Sequence, residues 1–297
     1  MLLMARIGRG AGARLFFRPR FRPPAEAVKP LRILILLIGC PAAIAAGAAE
    51  ARRPVWADEF SQSAGSAPDA AKWTHELGSH GFGNAELQTY VDSRATSFVA
   101  DDPAALDGKA LVIRADRAGT GYTSARLHTS GKFTVRYGRI EARLKLPRGQ
   151  GIWPAFWMLG RDAGPVEWPA CGEIDIMENI GREPSRLYAT LHGPGYAGTH
   201  GLQGSTDLPG GAVFADSYHV FAVDWAPGRI EWSLDGRVYF TATPASLPKD
   251  ARWVFDDSPF FLLLNLAVGG HWPGRPDATT VLPQEFRIDY VRVYTAP

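Results

Sequence analysis

The sequence predicts an all-β sandwich, and three observations predict it. From about Val55 onward, short segments rich in Val, Ile, Tyr, Phe and Trp recur roughly every ten residues, separated by Gly, Pro and Asp clusters. Within these segments apolar and polar residues alternate, which sets one face of a strand on a core and the other outward. No amphipathic helical pattern longer than a turn or two interrupts them, and no long linker or repeat divides residues 55–297, so about 240 residues fit one domain.

Taken in order, "ALVIRAD" (Ala110 to Asp116) and "GRIEARLKLP" (Gly138 to Pro147) alternate cleanly and read as strands with one buried face. "GIWPAFWMLG" (Gly151 to Gly160) places Trp153 and Trp157 four apart, hence on one face of a strand. "RIEWSLDGRVYFTAT" (Arg229 to Thr243) carries Asp-Gly between two alternating runs, the signature of a hairpin with a two-residue turn. "FRIDYVRVYT" (Phe286 to Thr295) alternates to the end and closes a sheet.

The formal net charge of +2 hides an asymmetry. Residues 1–53 hold ten Lys/Arg against two acids, while residues 54–297 hold 22 against 28, so the body is acidic. The body shows no basic stripe with interleaved aromatics, which argues against nucleic acid as a partner. The basic excess belongs to a leader: a positive stretch ending in Lys29 and Arg32 precedes the apolar run Ile33 to Ala49, and together residues 1–49 are expected to be a signal peptide with an extended basic n-region. A start near Val28 would make that signal compact. "LIGC" also resembles a lipobox ending at Cys40, so the mature chain is expected to be secreted or periplasmic, with lipid anchoring at the cell envelope through Cys40 as the alternative. Cys171 is the only other cysteine, so no intrachain disulfide framework is available to the body.

The stretch "WPACGEIDIMENIG" (Trp168 to Gly181) puts Glu173, Asp175 and Glu178 on what is otherwise a buried strand. Residues two apart share a face, so Glu173 and Asp175 point together while Ile174 and Ile176 point to the core. Strict alternation would send Glu178 inward, at a cost of several kcal/mol for a lone carboxylate. A β-bulge at Ile176/Met177 returns it to the acidic face, so the spacing of two and then three predicts a bulge. Three acids on one face repel and raise the proton affinity of at least one of them. A carboxylate and a carboxylic acid then coexist near neutral pH, the condition for cleaving a glycosidic bond. A metal site or a solvated acidic edge would also gather acids. The first needs further oxygen ligands from elsewhere, and the second would not alternate so strictly with Ile. Trp153, Trp157 and Trp168 fit sugar stacking or core packing, and nine Trp beside such a strand favour the former. There is no G-x-S-x-G elbow, H-E-x-x-H or Walker loop in the body.

"GEIDIMENIG" resembles the signature of glycoside hydrolase family 16, and the likeness extends through "WADEF", "GFGNAELQTY", "TSARLHT", "YGRIEARLKLP", "GIWPAFWMLG", "LLNLAVGGHWPG" and "DYVRVY". It is similar to the laminarinase-type endo-1,3-β-glucanase branch, in which an extra residue at the position of Met177 goes with a bulged strand. The resemblance implies a β-jelly roll of concanavalin A type with a concave substrate cleft, a catalytic domain over residues 50–297, and a retaining double displacement on β-1,3-linked or mixed 1,3-1,4 glucan. Glu173 would be the nucleophile, Glu178 the acid and base, and Asp175 the residue that tunes both.

Carried over onto this chain, Asn84, Arg126, Trp153, Trp157 and Trp168 would line the sugar subsites, with His192 near the cleaved bond and Glu86, Asn265 and Trp272 as further contacts. The resemblance also implies a structural calcium at Glu59, Gly108 and Asp289, completed by waters because calcium takes six to eight oxygens. No cofactor is implied for catalysis, β-glucan is the expected partner and a monomer the expected state. Phe82 stands where the family usually has Trp, which removes one expected stacking contact. Two alternatives share the fold: a transglycosylase or a hydrolase of another β-linked glucan or galactan, and a non-catalytic β-glucan-binding protein, a class that typically lacks a catalytic acid.

Overall fold

The structure, a computed structural model, describes residues 53–295; the expectations for residues 1–49 and for Cys40 lie outside the described residues. In chain order the strands are β1 (Trp56–Asp58), β2 (Thr74–His75), β3 (Gln88–Tyr90), β4 (Ser97–Asp101), β5 (Lys109–Ala118), β6 (Gly121–Ser124), β7 (Arg126–His128), β8 (Gly138–Lys145) and β9 (Ile152–Gly160). They continue as β10 (Glu173–Glu178), β11 (Arg186–His192), β12 (Leu202–Asp207), β13 (His219–Ala226), β14 (Arg229–Leu234), β15 (Arg237–Ala242), β16 (Phe260–Val268) and β17 (Gln284–Tyr294). The helices among the described residues are 3-10 turns of three residues, and none is long and apolar enough to cross a membrane.

The strands form two sheets. A 10-stranded sheet runs β15-β14-β13-β8-β17-β5-β6-β3, with β1 added on β17 and β4 on β5. A 7-stranded sheet runs β12-β11-β10-β9-β16-β7-β2 and carries all three acids. The predicted alternation is visible in burial: on β9, Ile152, Phe156 and Met158 are sealed in the core, while Trp153 and Trp157 remain half-buried on the opposite face. β16 departs from alternation because it is central and covered on both sides, so all nine of its residues are buried. Between the sheets, Phe156, Met158, Ile174, Ile176, Leu262 and Leu264 pack against Ile140, Phe221, Val223, Trp225, Trp232 and Val291 in one apolar core. This is the β-sandwich that the sequence predicts, closed by β17, which pairs with β1, β5 and β8.

The Asp235-Gly236 pair joins β14 and β15 with φ of 50° and 77°, the left-handed pair a type I′ turn requires. Gly160, at the end of β9, passes so close to the chain entering β10 that a Cβ there would meet the Cys171 carbonyl oxygen at 1.9 Å. That contact leaves no side chain between β9 and the segment that launches the acidic strand.

Candidate active site

β10 contains the bulge. Against β11, Asp175 pairs with Thr190 and Glu178 with Tyr188, so three steps on β10 answer two on β11. Against β9, Asp175 pairs with Trp157 and Met177 with Phe156, again one residue in excess. Ile176 and Met177 both turn into the core, where they are 1% and 0% exposed, and Glu178 returns to the face of Glu173 and Asp175. A bulge frees backbone groups from the ladder, and a buried carbonyl needs a donor. Here the Asp175 carbonyl accepts the indole N–H of Trp232, 2.8 Å away, a residue that belongs to β14 in the other sheet.

Each glutamate is anchored by one tryptophan. Trp168 Nε1 donates to Glu173 Oε2 at 2.8 Å, and Trp153 Nε1 donates to Glu178 Oε1 at 3.1 Å. Thr190, directly across from Asp175, donates its hydroxyl to Glu178 Oε2 at 3.4 Å. His192 faces Glu173 on β11, with Nε2 at 3.3 Å from Asp175 Oδ2 and 3.9 Å from Glu173 Oε1. It has room because Gly201 lies beside it; a Cβ there would come within 2.6 Å of both the His192 ring and the Thr190 methyl.

The acids hold their protons strongly. Burial first, and the Asp175 charge second, push Glu173 up to about 8. Burial also raises Asp175 to about 7, against the opposing effect of its hydrogen bond with Glu173. Glu178 is pushed well above the ordinary carboxylate range by burial, then by Asp175. Glu178 is the better enclosed of the two glutamates, 8% exposed, whereas the Glu173 side chain keeps 18% of its surface accessible. Of the two glutamates, Glu178 therefore keeps its proton longer, and Glu173 is the one that ionises first. That division is what acid and nucleophile roles demand.

The other expected residues gather around this centre. Trp157 lies beside Asp175 in register, donates its N–H to Asn265 Oδ1 at 2.7 Å and stacks its ring 4.8 Å from the Arg126 guanidinium. The Arg126 guanidinium also lies 5.0 Å from the Phe82 ring, and Arg126 Nε is 2.6 Å from Glu76 Oε2. Trp272 packs edge-on against Trp153 at 5.5 Å and against Tyr188 at 5.0 Å. Asn84 is exposed on the Gly81–Gly83 turn, and Glu86 is buried just below it. A half-open hollow of about 620 Å³ is lined by Arg148, Gln150, Gly181, Arg182 and Asp277, and none of the three acids lines it. Of the three acids Glu173 is partly exposed, while Asp175 and Glu178 are buried, 3% and 8% exposed.

Sequence reasoning missed Thr190, Tyr188 and Trp232. The first two were within its reach, because they lie two and four residues before His192 and so share its face.

Glu59, Gly108 and Asp289 lie on and beside the other sheet. Glu59 pairs through both oxygens with Arg292 at 2.9 and 2.8 Å. The Gly108 carbonyl accepts from Asp102 N at 2.9 Å. Asp289, 2% exposed, accepts from the Leu106 amide at 3.2 Å and from the Arg143 guanidinium.

Comparison with known proteins follows the same lines. The model of glycosyl hydrolases family 16 matches residues 88–292. The chain belongs to that family. A β-glucanase of Rhodothermus marinus is 40% identical over 255 residues, covering 81% of this chain and 84% of that protein. A glucan endo-1,3-β-glucosidase A1 of Niallia circulans is 37% identical over 260 residues, which are 81% of this chain and 37% of that longer protein. Among solved structures, the catalytic domain of an endo-1,3-β-glucanase (laminarinase) from Thermotoga petrophila superposes with a TM-score of 0.74 at 43% identity, covering 82% of this chain and 98% of that one. As a family 16 glycosyl hydrolase, the chain carries the jelly-roll fold, and Glu173, Asp175 and Glu178 occupy one face of its 7-stranded sheet.

Proposed function

We propose that this family 16 hydrolase is an endo-acting β-1,3-glucanase that cleaves with retention, accepting mixed 1,3-1,4 glucan as a secondary substrate. The observation that carries this reading is the pair of indole-anchored glutamates flanking Asp175 on one sheet face. Enzymes similar to this chain, named β-glucanase, glucan endo-1,3-β-glucosidase and endo-1,3-β-glucanase, support the substrate class. In the first step a Glu173 oxygen attacks the anomeric carbon, the glycosidic C–O bond breaks, and the Glu178 proton passes to the leaving oxygen. In the second, water attacks the same carbon from the side vacated, Glu178 takes a water proton, and Glu173 leaves as a carboxylate. Asp175 shares a hydrogen bond with Glu173 and keeps the proton affinities of both glutamates high. Trp168 and Trp153 orient the two carboxyls, while Trp157, Arg126, Asn84 and Trp272 border the glucan path.

No step is routed through a metal. Of the expected calcium ligands, the Asp289 carboxylate faces the Arg143 guanidinium, while the Gly108 carbonyl accepts one bond from Asp102 N and keeps a second lone pair. An ion there would have to displace Arg143. Export of the domain fits the basic and apolar leader sequence.

The test is reducing-end release on laminarin, lichenan, agarose and carrageenan by wild type, Glu173→Gln and Glu178→Gln. Laminarin is expected to be cleaved fastest, each variant is expected to lose about 10³-fold or more in rate, and azide should partly rescue Glu178→Gln on an activated substrate. Cleavage of none of the four polymers, or full activity in Glu173→Gln, would overturn the assignment.

A further inference from the structure

Trp157 is held from beneath by a chain of buried polar side chains that ends at Glu86. An indole N–H can only donate, so the Asn265 oxygen has to face Trp157, as it does at 2.7 Å. The amide is thereby oriented, and its Nδ2 faces the Tyr90 hydroxyl at 3.2 Å. Tyr90 accepts there, so its own proton goes to the next acceptor, Glu86 Oε2, also 3.2 Å away. From the opposite side the Val268 amide donates to Gln88 Oε1 at 2.7 Å, which turns Gln88 Nε2 onto the same Glu86 oxygen at 2.7 Å. Asn84 Nδ2 approaches Oε1 at 3.4 Å. Tyr90, Gln88, Asn265 and Glu86 are each less than 9% exposed, so bulk water offers these groups little alternative. Three donors converge on a group that gives no proton to any of them, which is the environment of an ionised carboxylate. Burial raises the proton affinity of Glu86 above the ordinary carboxylate value, while the Gln88, Asn84 and Tyr90 donors and the Arg126 charge act in the opposite direction.

We infer that Glu86 is a positioning residue: its charge sets the direction of every hydrogen bond from Gln88 through Tyr90 and Asn265 to Trp157, and so locks the indole ring against Arg126. With a neutral group at position 86, Tyr90 is free to donate toward Asn265, the amide turns over, and its NH₂ then meets the Trp157 N–H donor to donor. The ring has to give way. The consequence for catalysis rests on the proposed role of Trp157 as a glucan platform, whereas the locking itself does not.

Two readouts separate these. In ¹H–¹⁵N spectra with ¹⁵N-labelled tryptophan, Trp157→Phe identifies the Trp157 indole cross-peak. Glu86→Gln and Tyr90→Phe should both shift or split that peak, although neither residue hydrogen-bonds the indole. Steady-state kinetics on laminarin should show KM rising about tenfold in each variant, the loss of one buried hydrogen bond, with kcat within about threefold. A Trp157 peak that stays in place in Tyr90→Phe, with the other indole peaks at wild-type positions, overturns the inference even if Glu86→Gln does not fold. A moved peak with unchanged KM sustains the lock and overturns the platform role of Trp157.

Discussion

Replacing Asp175 by Asn removes one negative charge from the cluster while keeping its shape, and the consequence can be worked from the geometry. Ligand atoms of Glu173, Asp175 and His192 lie within 4.8 Å of one another. Two unit charges at 4.8 Å interact by about 3.5 kcal/mol at an effective dielectric of about 20, equivalent to about 2.5 pH units. Asp175 ionises before Glu173, at about 7 against about 8, so in the wild type Glu173 gives up its proton against an existing anion. In Asp175→Asn that anion is gone, and the charged form of Glu173 becomes easier to reach. Its proton affinity falls, and that of Glu178, which Asp175 also raises, falls with it. Both limbs of the bell in kcat/KM against pH should therefore move to lower pH, by up to about 2 units. The assay is reducing-end release from laminarin across pH 4 to pH 10, with near-UV circular dichroism to verify the fold. A bell that keeps its position, or moves toward alkaline pH, would refute the assignment of Asp175 as the charge that tunes its neighbours.

Trp153→Phe keeps the ring but deletes the donor on Glu178 Oε1, a contact that favours the ionised acid. Its alkaline limb should move to higher pH, opposite to Asp175→Asn, and an acid-ward shift in the same assay would count against the anchoring role. Because Glu173 and Asp175 rise from 4.5 and 3.8 to about 8 and about 7 on folding, the native state holds protons that the unfolded chain has released. Stability should fall as pH rises from about 4 to about 8, and keep falling above that as Glu178, also raised on folding, gives up its proton. Glu173→Gln should flatten that slope and raise Tm at pH 8, measured by scanning calorimetry; a lower Tm than wild type at pH 8 would contradict it. Trp232→Phe orphans the Asp175 carbonyl and should cost about 1–3 kcal/mol, a fall of roughly 2–12 °C in Tm, together with a drop in kcat larger than any change in KM. Unchanged kcat at full folding would show that the bulge holds itself.

Much of this was legible in the chain because it depended on periodicity. The alternation of Glu173 and Asp175 with Ile174 and Ile176 set the face of the acids, and the extra residue before Glu178 required the bulge seen in both flanking registers. The Asp235-Gly236 turn was equally local. What escaped were choices made across large sequence separations. Tyr90 meets Asn265 from 175 positions away, and Trp232 meets Asp175 from 57 positions away in the opposite sheet. No spacing rule connects such pairs, since the sheet order that brings them together is a property of the whole fold. Phe82 illustrates the middle case: the sequence showed a missing Trp, but only the folded chain shows a phenyl ring set against Arg126. Arg143 on Asp289 likewise could not be read from the ligand pattern of a calcium site.

The bond from Trp232 to the Asp175 carbonyl bears on how freely this fold can be recombined. Rim loops that make no contact with the acids can be exchanged between relatives with mainly local effects on which glucan fits, whereas the Trp168 segment has to keep its indole on Glu173. The β14 strand cannot be exchanged in this way, because the opposite sheet supplies the indole that sets the height of the third carboxylate. A chimera that imports the seven catalytic-sheet strands from one parent and the outer sheet from another inherits chemistry only if an indole arrives at position 232. The modular boundary of the enzyme therefore runs around the rim of the cleft, and the space between the two sheets lies on the side of the reaction.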